Sequence, residues 1–395
     1  MDNKVSIFSF EDTRVAFEAK TNKELKQAYF LFSNLNNTFL VALGTLLLRW
    51  ILKLHLPLKN LIENTLFQQF CGGESIRECE STVRHLANYH IRTILDYSVE
   101  GEKSKKGFDQ TEKELLQTIQ KAATNPSIPF SVFKVSGIGP VHVLEKLQQG
   151  HALTAKEQEA YKLFKMRFEN LCQTAAACKV RILIDAEDSW YQQPVDELAF
   201  EMMEKYNKDA AIVYNTYQMY LRNKLEQLKS DCERAKEKGY RFGVKLVRGA
   251  YMEKERARAN KLNYPDPIQP DKQQSDEAFN AALKYCVGHK ETISLCAGTH
   301  NEDSSYYLAK LMNQYSIHPS SPEVYFAQLY GMGDHISYNL AKAGYNVVKY
   351  VPFGPVKKVI PYLIRRVQEN TSVAGQSSRE LLLIKKELHR RKTGE

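Results

Sequence analysis

Two adjacent arginines, Arg365 and Arg366, are the residues whose chemistry is easiest to infer from the sequence. They lie on a predicted helix that covers residues 355–369. Neighbouring residues do not share one helix face, but both guanidinium groups can reach a small anion from different angles. Bidentate binding of a carboxylate is the natural use of such a pair. The alternative is a solvated basic surface, which is the commoner context of an isolated Arg-Arg pair.

A second cationic motif runs Lys-Leu-Val-Arg-Gly-Ala-Tyr from Lys245 to Tyr251. It places Lys245 and Arg248 beside a Gly-Ala pair, and glycine lets the backbone approach another group closely. A flat or phosphorylated cofactor could use that opening. The alternative is an ordinary loop, which is the usual context of a cation at a strand end.

The elements that must position these groups alternate between two types along the chain. The predicted strands are short apolar or β-branched runs, at residues 91–99, 130–135, 180–184, 211–214, 242–247, 293–297, 324–329 and 346–351. Longer charged segments with helical periodicity separate them and include residues 142–148, 156–174, 194–206, 217–237, 275–287 and 303–314. Near-continuous apolar runs are typical of parallel strands that are covered on both faces.

Eight such units predict a closed α/β barrel of the (βα)8 TIM type rather than an open sheet. We expect an N-terminal helical region at residues 1–89, the catalytic barrel at 90–370 and a basic C-terminal tail at 371–395. The tail is expected to be a frayed basic helix, with a lipid contact as the alternative.

Polar residues lie near the carboxyl ends of all eight predicted strands, either within the strand or just after it, and the active site of a barrel lies at these ends. They are Asp96 and Glu100, Lys134, Asp185 and Glu187, Asn215 to Gln218, Lys245 and Arg248, Thr299 to Asn301, Gln328 with Tyr330, and Tyr350. Each alone has an ordinary explanation: Glu187 can cap a helix, and a lone His300 is more often a core histidine. Together they would converge on one mouth, where burying them unpaired would be costly.

The composition of the chain and the motifs that it lacks argue against several classes of function. The chain has 395 residues, 43% hydrophobic, with a formal net charge of +9. That charge is more simply a solvated surface than a nucleic-acid site. Seven cysteines without a C-x-x-C pair argue against a disulfide framework and a zinc ribbon. No metal site is expected, and H-E-x-x-H, G-x-S-x-G, P-loop and G-x-G-x-x-G motifs are absent.

The N-terminal part of the chain bears on the location of the protein. The first 20 residues have no apolar core after a basic start and carry four acids, so they resemble neither a secretory signal nor a transit peptide. The apolar segment 39–52 is too short to span a bilayer and is more simply a buried helix than an interfacial one. We therefore expect a cytoplasmic protein, peripheral to the inner membrane if it meets a membrane, with the mitochondrial matrix as the alternative.

The ordered motifs resemble the proline dehydrogenase family. They are F-K-V-S at residues 133–136, I-D-A-E at 184–187, K-L-V-R-G-A-Y at 245–251, T-H-N at 299–301, and the segment from Tyr350 to Asn370 that contains Y-V-P-F-G and Y-L-I-R-R. They occur in family order and at family spacing over roughly residues 70–370. The resemblance implies a distorted β/α barrel that holds FAD noncovalently, oxidises L-proline to Δ1-pyrroline-5-carboxylate and passes electrons to a membrane quinone, either ubiquinone or menaquinone.

The same resemblance implies roles for individual residues. Arg365 and Arg366, helped by Lys134, should bind the proline carboxylate, and Tyr350, Tyr362 and Leu329 should pack on its ring. Asp185 should orient this group, and Glu100 should pair with Arg365 as a gate. The flavin should be lined by Asn215, Lys245, Val247, Arg248, Gly249, Thr299, His300, Asn301, Gln328 and Glu369.

Two departures refine the resemblance. Many bacterial members have Arg, Lys and Gln where this chain has Lys245, Arg248 and Asn215, so the chain looks closer to the mitochondrial-type branch. Tyr350 would crowd a ring hydroxyl, which favours proline over hydroxyproline. No aldehyde dehydrogenase domain follows, so a monofunctional enzyme is expected. The remaining alternatives are a hydroxyproline dehydrogenase, a Schiff-base lyase using Lys134 or Lys245, and a basic scaffold for membrane or nucleic acid.

Overall fold

Eight parallel strands close into a barrel in sequence order, β1 to β8. The computed structural model describes residues 8–35, 66–99, 101–372 and 376–394, and the side chains of all of these except 35, 367–372 and 376–378. The strands are β1 Ile91–Tyr97, β2 Phe130–Lys134, β3 Arg181–Asp185, β4 Val213–Gln218, β5 Phe242–Val247, β6 Ile293–Gly298, β7 Val324–Leu329 and β8 Val347–Phe353. The barrel closes where β1 pairs with β8, from Ile91 opposite Val347 to Tyr97 opposite Phe353. The predicted (βα)8 barrel is confirmed.

Helices connect the strands and also flank the barrel at both ends of the chain. Before β1 lie α1 Thr13–Ala16, α2 Asn22–Leu35, α3 Gln68–Phe70 and α4 Glu80–Ala87. Between strands lie α5 Lys105–Ala123, α6 Val141–Gln148, α7 Ala155–Ala177, α8 Gln192–Tyr206, α9 Lys224–Lys238, α10 Met252–Leu262, α11 Lys272–Gly288, α12 Glu302–Gln314 and α13 Asp334–Lys342. After β8 come α14 Val356–Ser372 and α15 Gln376–Thr393. No described helix is long and apolar enough to cross a membrane.

The fourth strand differs most from its prediction. It was expected at 211–214, but it continues to Gln218, and the following helix begins at Lys224 rather than near Tyr217. The extra residues are polar, which hid them from a search for apolar runs. Thr216 Oγ1 donates to the Ile184 carbonyl at 2.6 Å, and Gln218 Nε2 donates to the Glu187 carbonyl at 2.8 Å. Both polar groups are therefore satisfied inside the fold.

The barrel interior is a packed core whose lower part is aromatic. Side chains of a strand alternate between its two faces, so every second residue points inward. The Phe130 ring packs edge-on against Tyr325 at 4.8 Å and against Tyr214 at 5.5 Å between centroids. Apolar and aromatic packing thus fills this part of the barrel and leaves the carboxyl ends of the strands for polar groups.

The C-terminal segment is a packed helix rather than the expected frayed tail. On α15, Leu383 and Ile384 are buried in a cluster with residues of α2 and α14. The buried Glu387 carboxylate accepts hydrogen bonds from Arg390 and Arg391, both at 2.7 Å. Clustered basic residues suggested a solvated helix, but two of them neutralise a buried acid on their own helix.

Leu383→Ala should destabilise the protein by about 2–5 kcal/mol, because Leu383 is fully buried and truncation leaves a cavity. Leu382→Ala is the matched control. The Leu382 side chain is 56% exposed, so its truncation should change stability by no more than about 0.5 kcal/mol. Urea unfolding followed by circular dichroism measures both. Equal effects of the two substitutions would show that α15 does not pack as described.

Candidate active site

Four charged side chains converge inside the barrel where β1, β2, β3 and β5 end. Lys245 Nζ donates to Asp185 Oδ1 at 2.5 Å, and Lys134 Nζ lies 3.2 Å from Asp185 Oδ2. Lys134 Nζ also donates to both oxygens of Asp96 at 3.0 Å. Two ammonium groups and two carboxylates therefore alternate in one buried charged cluster. Parallel strands bring these residues together although they lie far apart in sequence.

Asp96 was noted at the end of the first strand but was not predicted as a site residue. It is 3% exposed, and the Ser98 hydroxyl donates to its Oδ2 at 3.0 Å. Its only sequence signal was an acid in the last part of an apolar run. Because Asp96 contacts Lys134 through both oxygens, it orients that ammonium group from the β1 side.

The charges of the two lysines control the ionisation of Asp185. Burial alone would raise its pKa, but the nearby Lys245 and Lys134 ammonium groups and their hydrogen bonds outweigh burial and lower it. Burial, followed by the charge of Asp185, raises the pKa of Tyr350 well above its ordinary value. The Tyr350 ring centroid lies 4.5 Å from Lys245 Nζ, a cation–π distance. Tyr350 thus presents a neutral aromatic ring beside an ionised carboxylate.

The arginine pair lies on α14, the helix that follows β8. Arg366 is buried and Arg365 half-buried. The Arg366 guanidinium carbon lies 4.9 Å from the Tyr362 ring centroid, and that of Arg365 lies 5.5 Å from the Tyr251 ring centroid. Tyr251 follows β5, so Arg365 reaches the carboxyl ends of the strands. Tyr251 was not among the predicted site residues, although it ends the quoted K-L-V-R-G-A-Y motif.

His300 is a half-buried histidine in the loop after β6. Its Nε2 accepts a hydrogen bond from the Leu329 backbone N–H at 3.2 Å. Its Nδ1 is buried without a hydrogen-bond partner among the described residues. Burial, followed by the charges of Lys349 and Arg366, lowers its pKa to about 3. Accepting at Nε2 leaves the single ring proton on Nδ1, so His300 carries an unused donor.

Arg248 organises the loop around the end of β6. Its Nε donates to Asp276 at 2.5 Å, and its two terminal nitrogens donate to Thr299 Oγ1 at 2.8 Å and Ser304 Oγ at 2.9 Å. Asn301 caps α12 by accepting from the Ser304 N–H at 2.8 Å. These residues form one network with described partners, and the arginine reaches from β5 to two helices.

Gly249 follows Arg248 with a positive φ of 134°. A Cβ at this position would overlap the Tyr220 ring. The close approach that its sequence suggested is therefore made to a tyrosine of the same chain. Any larger residue would force both the backbone and the Tyr220 ring to move.

The other predicted flavin-lining residues occupy different surroundings. Asn215 is on the outer side of β4, where its Nδ2 donates to Asp196 of α8 at 2.8 Å. Gln328 Nε2 donates to the Thr299 carbonyl at 3.1 Å, and the Ser337 hydroxyl donates to Gln328 Oε1 at 3.0 Å. Val247 and Leu329 are half-buried at the ends of β5 and β7.

Two predicted site residues cannot be placed in this description. Glu100 and the side chain of Glu369 lie outside the described residues. Among the residues that are described, no group of three or more His, Cys, Asp or Glu side chains could hold a metal ion. The site therefore consists of the buried charged cluster, the helix α14 with its two arginines, and the hydrogen-bond network around His300 and Arg248.

Comparison with known proteins gives a consistent family. A family model described as Proline dehydrogenase matches residues 79–379. Proline dehydrogenase 1, mitochondrial, of Dictyostelium discoideum is 36% identical, over 96% of this chain and 74% of the relative. Carbapenem antibiotics biosynthesis protein CarD of Pectobacterium carotovorum is 37% identical, over 82% of this chain and 84% of the relative. The human protein named Proline dehydrogenase 1, mitochondrial, is 39% identical, over 60% of this chain but 40% of its own length.

Solved structures share the fold. Proline utilization A (PutA) from Bdellovibrio bacteriovorus, inactivated by N-propargylglycine, matches with a TM-score of 0.70 at 21% identity, over 94% of this chain. A mutant PutA from Bradyrhizobium japonicum matches with a TM-score of 0.64 at 20% identity, over 79% of this chain. The chain spans 40% and 31% of these two PutA chains. Because the family model covers most of the barrel and the Dictyostelium relative covers nearly the whole chain, this protein belongs to the proline dehydrogenase family.

Proposed function

We propose that the protein is an FAD-dependent dehydrogenase that oxidises L-proline to Δ1-pyrroline-5-carboxylate and passes the electrons to a quinone. The observation that carries this proposal is a set of three cation–ring pairs, two of them made by arginines of α14 and one inside the barrel. They are Arg365 with Tyr251, Arg366 with Tyr362, and Lys245 with Tyr350. The arrangement offers cations for a carboxylate and aromatic surface for a small ring.

The cofactor part of the proposal is supported by an unused donor. His300 Nδ1 is buried and has no described partner, and buried donors in folded proteins are normally satisfied. A cofactor that offers acceptor atoms fits this position. FAD would be held by His300, Lys245 and Arg248 with the residues of the β6 loop, and when bound it supplies a hydride acceptor at N5.

The substrate part follows from charge and shape. A carboxylate can accept hydrogen bonds from two guanidinium groups at once, which fixes both the position and the orientation of the attached ring. Tyr350 and Tyr362 supply apolar faces for the pyrrolidine ring, and Leu329 at the end of β7 supplies a third. Lys134 adds positive charge from the end of β2, while Asp185 and Asp96 keep its ammonium group oriented.

The reaction removes two electrons and two protons from proline, leaving a carbon–nitrogen double bond. The protein contributes orientation to this step rather than a strong acid or base, since a hydride transfer depends on close, aligned approach of donor and acceptor. The quinone, the membrane contact and the place of Lys245 beside the flavin are carried over from the family resemblance.

Turnover of the purified protein tests the proposal. With L-proline and a soluble quinone, the cyclic imine product should be trapped by o-aminobenzaldehyde, and one quinone should be reduced per imine formed. Borohydride inactivation in the presence of a carbonyl substrate, without quinone reduction, would instead support a Schiff-base enzyme using Lys134 or Lys245. Salt-dependent binding of nucleic acid without any turnover would support the scaffold alternative.

Tyr350→Ser should relax discrimination against 4-hydroxyproline by roughly 10-fold or more, because removing the ring opens space for the extra hydroxyl. The ratio of kcat/KM for proline to kcat/KM for hydroxyproline measures the effect. Tyr350→Phe keeps the ring and should keep the wild-type ratio. An unaltered ratio in Tyr350→Ser would remove Tyr350 from the specificity pocket.

A further inference from the structure

Lys349 is a fully buried lysine on the outer side of β8. Its ammonium group donates to the Met332 carbonyl at 2.5 Å, to Asp334 Oδ1 at 2.7 Å and to the Leu329 carbonyl at 3.4 Å. An ammonium group has three donors, and all three acceptors belong to the single segment 329–334 that follows β7. A buried charge is costly unless it is fully paired, so this segment and Lys349 constrain each other strongly.

Other parts of the chain hold the same segment. The second oxygen of Asp334 lies 3.2 Å from the ammonium group of Lys20, which precedes α2. The Gly333 N–H donates to the buried Glu380 carboxylate of α15. Charged groups from β8 and from both terminal regions therefore fix one short loop at the carboxyl end of β7.

That loop donates to one ring nitrogen of His300 and passes close to the other. At one end, the Leu329 N–H donates to Nε2 at 3.2 Å. At the other end, Gly333 has a positive φ of 62°, and a Cβ built on it would lie 2.7 Å from Nδ1. The loop thus donates to Nε2, and the lack of a side chain at Gly333 keeps Nδ1 uncrowded.

We propose that Lys349 is a positioning residue that, through the 329–334 loop, holds His300 as a neutral Nδ1–H donor toward the cofactor. The hydrogen-bond acceptor would be a carbonyl, ring nitrogen or phosphate oxygen of FAD, and this identity rests on the proposed function. The protonation state of His300 does not rest on it, because it follows from contacts within the chain.

The charged groups around His300 also favour its neutral form. The groups that face His300 are Lys349 from β8, Arg366 from α14, and Asp334 and His335 from α13. Burial has the largest effect and disfavours the imidazolium, and Lys349 and Arg366 disfavour it further, while Asp334 opposes them. His300 should consequently stay neutral throughout the physiological pH range, with its proton fixed on Nδ1.

Nitrogen-15 NMR of histidine-labelled holoprotein tests the proposal directly. The His300 signals are assigned by their loss in His300→Gln, and long-range proton–nitrogen correlations report which ring nitrogen carries the proton. Wild-type His300 should show protonated Nδ1 and unprotonated Nε2, with no titration between pH 5.5 and 8.5. A proton on Nε2, or titration within that range, would overturn the proposal.

Lys349→Met tests the role of the lysine itself. In folded Lys349→Met the pure Nδ1–H pattern should be lost, either to a mixture of tautomers or to titration within the measured range. Lys349→Arg keeps the positive charge and should retain the pattern, and Lys342→Met on the exposed end of α13 should leave it unchanged. An unchanged pattern in folded Lys349→Met would refute the positioning role.

Asp334→Asn provides a second route if Lys349→Met does not fold. It keeps the shape of the loop but weakens its attachment to Lys349, so the same change in the His300 pattern is expected, and an unchanged pattern would count against the proposal.

Turnover with proline is measured separately on wild type. Loss of the proposed function would leave a wild-type protein without flavin or turnover, whereas failure of this proposal would appear only in the His300 signals.

Discussion

Replacing Arg366 with methionine is expected to raise the KM for proline by roughly 30-fold to 4,000-fold while leaving flavin bound. Removing one charged, hydrogen-bonded partner of a carboxylate costs about 2–5 kcal/mol, and about 1.4 kcal/mol corresponds to a factor of ten. Arg365→Met should have an effect of the same kind. Methionine retains an unbranched apolar side chain similar to the aliphatic part of arginine, so the loss is mainly that of the charge and its donors.

Lys358→Met is the matched control for both substitutions. Lys358 lies on the same helix, and its side chain is 43% exposed and 3.4 Å from Glu102 Oε2. A surface ion pair of this kind contributes about 0–1 kcal/mol, so the KM should be nearly unchanged. Steady-state kinetics gives KM, and the visible spectrum gives flavin content. A wild-type KM in both Arg365→Met and Arg366→Met would refute carboxylate binding by this helix.

Asp185→Asn is expected to destabilise the folded protein by about 3–5 kcal/mol at pH 7. The substitution removes the carboxylate shared by Lys134 and Lys245, and breaking a buried ion pair leaves an uncompensated buried charge. Asparagine has nearly the same shape, so the effect reports charge. Asp209→Asn, at an exposed aspartate, should change stability by no more than about 0.5 kcal/mol.

The pH dependence of this difference gives a second check. The pKa of Asp185 is lower in the folded protein than its ordinary value, so the folded state binds the proton less readily. Its stabilising contribution is therefore fully present above the unfolded pKa of about 3.9 and is lost as the pH falls through the folded pKa. Urea unfolding should show a wild-type advantage over Asp185→Asn that is constant near neutral pH and shrinks below about pH 4. A small difference at pH 7 would contradict the ion-paired arrangement.

Most of the barrel could be predicted because its strands are apolar on both faces. Phe242–Val247 and Val324–Leu329 were predicted to the residue, since continuous apolar runs bounded by polar loops mark buried parallel strands. The carboxyl half of β4 was missed because its residues are polar and satisfied by the neighbouring strand. The packing of α15 was missed because sequence does not show that its acids and bases pair with each other.

The site was predictable only in part. Residue types and strand ends pointed to Lys134, Asp185 and Lys245, but the contacts among them join residues as far as 60 positions apart and depend on barrel closure. Asp96, Tyr251 and Lys349 were missed for the same reason. Lys349 in particular lies in an apolar run, and its role becomes visible only when the 329–334 loop is seen to supply all three of its acceptors.

An anaerobic spectrum of the purified protein tests the central claim most directly. If the two guanidinium groups hold the carboxylate so that the ring of proline faces a bound flavin, the protein is yellow, and its visible absorption bleaches when L-proline is added without oxygen. Pyrrolidine has the same ring without the carboxylate, so it should cause far slower bleaching at equal concentration. A colourless protein, or equal bleaching by pyrrolidine and proline, would contradict this account.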